Sequence, residues 1–194
     1  MAHGNKSRRP AIQKLSIVIA LAAMLGACQD NDRQAADNES VDPIANSEMV
    51  TTAIGNDADL SISTRLIGAA QLGAALDGEG SYTVFLPVDD AWNSLDAAER
   101  QAIENTENRP QLIAVLRQHI APGYVLASDL EKGLSDEDGS VELATMGVAP
   151  ITLYRDGTTI TIGQGNEAPR IVGAPIVAGN DVVYRIDRLI PPPE

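Results

Sequence analysis

The sequence predicts an α+β fold, with a helical first half and a second half built from antiparallel strands. Three observations carry that expectation. Leu60, Thr64, Ile67, Leu72 and Leu76 recur at roughly helical spacing. ITLYRDGTTITI, from Ile151 to Ile162, is two alternating runs about an Asp156-Gly157 turn, the strongest short-range hairpin signal. The stretch from about Ser47 to Pro192 is long enough for one domain around one core. Phe85 and Trp92 are the only large rings besides the four tyrosines, so that core must be mainly aliphatic.

The chain opens with Lys6, Arg8, Arg9 and Lys14, continues with the apolar run Leu15 to Leu25, and reaches Gly26-Ala27-Cys28. This is the layout of a secretory signal. The apolar run is about half the length a membrane-spanning helix needs, which makes an uncleaved anchor the lesser alternative. Leu25-Gly26-Ala27-Cys28 resembles the bacterial lipobox, which implies lipidation of Cys28; an ordinary cleavage site ending in Cys is the other reading. Two acyl chains suffice for stable anchoring. Cys28 is the only cysteine, so its acylation leaves no thiol for a disulfide, a metal or a nucleophile. Gln29 follows it, and in Gram-negative lipoproteins a Cys-Gln start implies the outer membrane, in either leaflet.

Loss of residues 1–27 removes four of the 14 basic residues and none of the 27 acidic ones, leaving a net charge of −17. A surface this acidic repels nucleic acid and anionic headgroups and keeps the domain soluble outside the cytoplasm. Residues 28–46 are polar, acidic and almost free of large apolar side chains, as expected of a flexible tether. Such a segment reaches on the order of 25 Å. The domain then spans residues 47–194.

Within the domain, the first helical pattern runs to a stop at Asp77-Gly78. The strand TVFL follows, then a helix from about Asp89 and a short acidic one from Ala97 to Asn105. Asn108-Arg109-Pro110 supplies a candidate cap and a first-turn proline. The next helix places Leu112, Val115, Leu116 and His119 on one apolar face. SVELATM, the hairpin, RIVGAPIV and DVVYRIDRLI are the strands of the second half, closed by Pro191 to Pro193.

Few residues are placed for chemistry. Asp89 and Asp90 are adjacent, so on a helix their side chains diverge by about 100° and cannot share a proton or a substrate. They read instead as the N-cap and first turn of the helix that begins there. His119 is the only histidine beyond the leader, and its apolar face points to a buried, hydrogen-bonded imidazole. A Ser-His-Asp triad would need it, yet no Gly-x-Ser-x-Gly elbow accompanies it. GQGNEA, from Gly163 to Ala168, matches a dinucleotide fingerprint, but Pro169 follows where a helix should begin. SDEDGS, from Ser135 to Ser140, echoes a calcium loop but lacks its first and last ligands. No cofactor and no metal is expected.

Three ordered motifs carry a resemblance to the fasciclin-type domain. LSISTRLIGAAQLGAALDGEGSYTVFLPVDDAWNSL resembles its first half, with Thr83, Phe85, Pro87, Asp89 and Trp92 at motif positions. QLIAVLRQHIAPGYVLASDL resembles its central helix, through His119 and Pro122-Gly123. NDVVYRIDRLIPP resembles its closing motif, Asn-Gly-Val-x-x-x-Ile-Asp-x-x-x-x-Pro, through Asn180, Ile186 and Asp187. The resemblance implies a wedge of β-sheets with helices along one edge. It also implies a binding rather than catalytic activity, in cell adhesion or matrix attachment, which many bacteria carry as a single secreted or lipid-anchored domain. In the family His119 belongs to a Tyr-His adhesion motif, but here Gln118 precedes it. The family's Asp-Ile adhesion pair aligns with Pro175-Ile176. The expectation is a non-enzymatic envelope module with a protein or glycan partner, attached to the membrane through its acylated N-terminus. The alternative is a periplasmic carrier of a small apolar ligand, suggested by the aliphatic core.

Overall fold

The computed structural model describes residues 48–105, 108–136 and 139–192. The expected leader and tether lie outside them, as do two residues of the acidic SDEDGS loop. No helix among the described residues is long and apolar enough to cross a membrane.

The first half is helical around one strand. Helices α1 (Val50–Gly55), α2 (Ser61–Ala70) and α3 (Gly73–Leu76) precede strand β1 (Tyr82–Pro87). Helices α4 (Asp89–Asn93), α5 (Ala97–Glu104) and α6 (Arg109–Gln118) follow it. The single helix expected from Leu60 to Leu76 is broken. Gln71 adopts the left-handed conformation at φ 60°, its N–H bonds to Gly68 O, and Leu72 N–H bonds to Ile67 O at 3.1 Å. This is a Schellman-type stop without its usual glycine. Leu72 and Leu76 keep the apolar spacing going past the stop, which hid it. Gln71→Gly removes a side-chain penalty that the left-handed conformation imposes and adds chain entropy to the unfolded state. The expected balance is a stabilisation of about 0.5 kcal/mol, read as a higher urea midpoint; a lower midpoint would contradict it.

Helix α5 begins with a capping box, Asp96 accepting from Ala98 and Glu99 N–H while Glu99 reaches back to Asp96 N–H. Asn108, by contrast, does not cap α6: its side chain donates to Ala102 O at 3.4 Å, and Pro110 alone marks that start.

The remaining elements are β2 (Ile120–Pro122), α7 (Ala127–Gly133), β3 (Ser140–Leu143), β4 (Ile151–Asp156), β5 (Thr159–Ile162), β6 (Ile171–Ala178) and β7 (Asp181–Ile186). Strands β3, β4 and β5 form an antiparallel sheet in that order. Pairing of Asp156 with Thr159 shifts the hairpin turn one residue from the expected place, to Gly157-Thr158. Gly157 takes φ +60°, which suits the first position of a type II′ turn.

The second sheet runs β2-β1-β7-β6, and the expectation of antiparallel strands alone fails there. β1 lies parallel to β7, with Phe85 beside Tyr184, while β2 and β6 pair antiparallel at the two edges. The fold is α+β with one mixed and one antiparallel sheet.

Strands β1 and β7 are covered on both faces, so they read as near-continuous apolar runs. Successive side chains go to opposite faces. Val84, Leu86 and Val183 meet Ile54, Leu66 and Leu116 on the helical side. Phe85, Tyr184 and Ile186 meet Ile151, Leu153 and Ile162 of the other sheet. Two mainly aliphatic cores result, one on each side of the mixed sheet, with Trp92 in the first and Phe85 and Tyr184 in the second.

Candidate functional site

The residues that looked most like a motif hold the fold together. Thr83 Oγ1 donates to Gly123 O at 2.8 Å and accepts from Val125 N–H at 3.0 Å, fastening β1 to the chain that leaves β2. Pro122 ends β2, and Gly123 turns the chain at φ +109° while its N–H bonds to Ser81 O. Phe85 stacks on Tyr184 with ring centroids 5.6 Å apart. Val88 N–H bonds to Ile186 O, so the ring nitrogen of Pro87 faces away from β7, beyond the end of β2, and no ladder bond is lost there. The Pro87 carbonyl accepts from Ser63 Oγ, which in turn accepts from Trp92 Nε1 at 2.8 Å. All three members of that relay are buried.

Asp89 does not cap its own helix. Val88, in an extended conformation, occupies the cap position of α4, which leaves Asp89 as the first helical residue. Its carboxylate accepts from Ser61 Oγ and, at 2.8 Å, from Ile62 N–H. These open α2, whose own cap position holds Leu60 and offers no side-chain acceptor. Asp89 is thus a cap supplied in trans, from 27 residues away, and Asp90 is exposed. Asp89→Ala should cost about 1–2 kcal/mol; an unchanged thermal midpoint would dismiss the cap.

At the end of α6, His119 is 1% exposed. Its Nδ1 lies 2.8 Å from Val115 O, and its Nε2 lies 3.0 Å from Ile190 N. The Ile190 N–H has to donate, so Nε2 is the acceptor and Nδ1 carries the proton. Burial pushes the imidazole pKa down to about 4, against a smaller opposing effect of the Val115 bond. Both nitrogens are engaged, and the ring clamps the C-terminal segment to α6.

The closing motif also ties ends together. Asn180 Nδ2 donates to Gly80 O, Ile186 is fully buried, and Asp187 accepts from Arg170 N–H at 2.7 Å. Sequence reasoning passed over Asp181, which replaces the motif glycine. It is 1% exposed and accepts from Tyr82 N–H at 2.6 Å. Burial, aided by the charge of Asp77, raises its pKa to about 6 despite the Tyr82 bond. GQGNEA is the loop between β5 and β6, with no helix after it. Among the described residues no three His, Cys, Asp or Glu side chains converge on a possible metal site.

Among the described residues a polar hollow of about 770 Å³ lies over α5, around Ala97, Arg100 and Gln101, and an apolar groove of about 870 Å³ opens beside it. Ile103 of α5, Val115 of α6 and Ile190 line the groove, joined by Leu95, Met146 and Pro191. Val148, 88% exposed, stands at its edge with Glu99 and Arg117. Gln118 also faces it: Nε2 donates to Ala149 O at 2.9 Å, while the buried Oε1 has no protein donor. The groove draws on four separate segments, and no single periodicity in the sequence joins them.

Relatives place this architecture. The family model for the fasciclin domain matches residues 58–192. Protein sll1483 of Synechocystis sp. is 31% identical over 146 residues, covering 75% of this chain and 73% of that protein. Human periostin is 29% identical over 126 residues, 65% of this chain but 14% of its own length. Porcine transforming growth factor-beta-induced protein ig-h3 is 25% identical over 144 residues, 74% of this chain and 19% of its own. A solved domain pair from the insect cell adhesion molecule Fasciclin I superposes with a TM-score of 0.66 at 18% identity, over 75% of this chain and 51% of that one, a likeness of fold. With the family model spanning residues 58–192 and a relative 31% identical over 146 residues, the chain belongs to the fasciclin domain family.

Proposed function

We propose that the chain is a non-enzymatic binding module, anchored to a bacterial envelope through acylated Cys28, that holds a protein or glycan partner in surface attachment. The observation that supports it most is the use of the family-motif residues. Thr83, Asp89, Trp92, His119, Asn180 and Asp187 each make hydrogen bonds inside the fold, and none presents a free catalytic group. A domain whose marked residues are structural works through its surface. Fasciclin I, which shares the fold, is a cell adhesion molecule. Lipidation at Cys28 and a tether over residues 28–46 supply the rest of the reading, by lifting an acidic domain off the membrane.

The test compares attachment to a surface by cells making the wild-type chain, no chain, or Cys28→Ala. Attachment is expected to fall in the last two. Equal attachment by all three would overturn the reading.

A further inference from the structure

We infer that the groove between α5, α6 and the C-terminal segment is a binding site for a small, largely apolar molecule that donates one hydrogen bond to Gln118 Oε1. The inference is independent of the adhesion reading. It gives the carrier alternative a location and a ligand chemistry.

Size and lining come first. A groove of about 870 Å³ lies within the range of small-molecule sites, which combine an apolar lining with a few placed polar groups. Here the lining is aliphatic, from Leu95, Ala102, Ile103, Met146 and Ile190 among others, without an aromatic ring. The ligand body must therefore be apolar.

The placed polar group is the Gln118 amide. Gln118 is 6% exposed, and Ala149 O fixes which way the amide points, because a carbonyl needs the Nε2 end. Oε1 is then the free end. Thr145 Oγ1 bonds to Ala149 O at 2.7 Å and accepts from Gly147 N–H, so the turn that carries Gly147 is held beside the amide. Gly147 itself leaves room only for hydrogen: a Cβ there would stand 2.3 Å from Oε1. The cover over the oxygen is one glycine thick, so binding requires residues 146–148 to shift enough to admit a donor from the groove. A buried carbonyl without a donor is unfavourable, and a ligand N–H or O–H relieves it. A ligand without a donor gains only the apolar contacts.

Glu99 and Arg117 both stand at the rim, so a weakly polar end directed to solvent is tolerated there.

Fluorescence titration of the full chain, produced without acylation, tests this with two probes. N-phenyl-1-naphthylamine is apolar and has one N–H; its N-methyl derivative has none. Saturable one-site binding of the first is expected, with the N-methyl probe about tenfold weaker. Ala114→Trp, at an exposed position of α6 that lines the groove, should abolish it. Gln118→Met should bind both probes equally. The inference fails if wild type binds neither probe, binds both with the same affinity, or binds unchanged after Ala114→Trp. All three criteria hold even if Gln118→Met does not fold, and none of them bears on attachment.

Discussion

His119→Ala is expected to destabilise the domain by about 3–5 kcal/mol. Removing a fully buried ring leaves a cavity, and that alone costs about 2 kcal/mol or more. The Ile190 N–H then loses its acceptor in a dry setting, which adds about 1–3 kcal/mol. A domain of this size is stable by about 5–15 kcal/mol in all. Urea unfolding should therefore begin far earlier in the variant, and the 189–192 segment should become open to proteases. His119→Gln keeps one donor and one acceptor on a smaller side chain and should recover part of the loss. If His119→Ala unfolds at the wild-type midpoint, the imidazole is not a clamp. A loss of stability shared by Ala and Gln alike would point to packing alone.

The same residue shows what sequence can and cannot supply. Its position on the apolar face of α6, beside Leu112 and Leu116, was enough to expect a buried ring. Its partner Ile190 lies 71 residues away and could not be read from that spacing. The hairpin, α5 and the aliphatic core were legible because each depends on local periodicity or turn chemistry. The parallel pairing of β1 with β7 was not, since a strand buried on both faces does not alternate, and its neighbour is chosen by the whole chain. Asp89 shows a subtler failure. An acid at a helix start predicts a local cap, but an extended Val88 took the cap position and α2 had none, so the carboxylate served the neighbouring helix. Gln71 broke a helix without a glycine to announce it. The groove is the extreme case: Gln118 could be identified as a departure from the family pattern, but its unpaired carbonyl exists only because Ala149 and Gly147 fold against it.

Replacing Asp181 by Asn is expected to make the domain more stable at neutral pH and to expose an acid sensitivity that the wild type conceals. Two buried groups titrate in the same window with opposite effects. The His119 pKa is pushed down from 6.5 to about 4, so the folded state binds fewer protons than the unfolded state between those values. Stability from His119 is fully present above pH 6.5 and is lost toward pH 4, by about 3 kcal/mol. Asp181 is raised from 3.8 to about 6, so there the folded state binds more protons. Its contribution is absent above pH 6 and is gained as pH falls toward 4, on the order of 2 kcal/mol. In the wild type the two nearly cancel, and stability between pH 4 and 6.5 should vary little on their account. Asn at 181 keeps an acceptor for Tyr82 N–H, removes the buried charge beside Asp77, and leaves His119 unopposed. Urea midpoints measured from pH 4 to 7.5 should then show Asp181→Asn above wild type at pH 7 and falling steeply through pH 5, while the wild-type curve stays flatter. Parallel curves for the two proteins would mean that folding does not raise the Asp181 pKa, and would overturn the prediction.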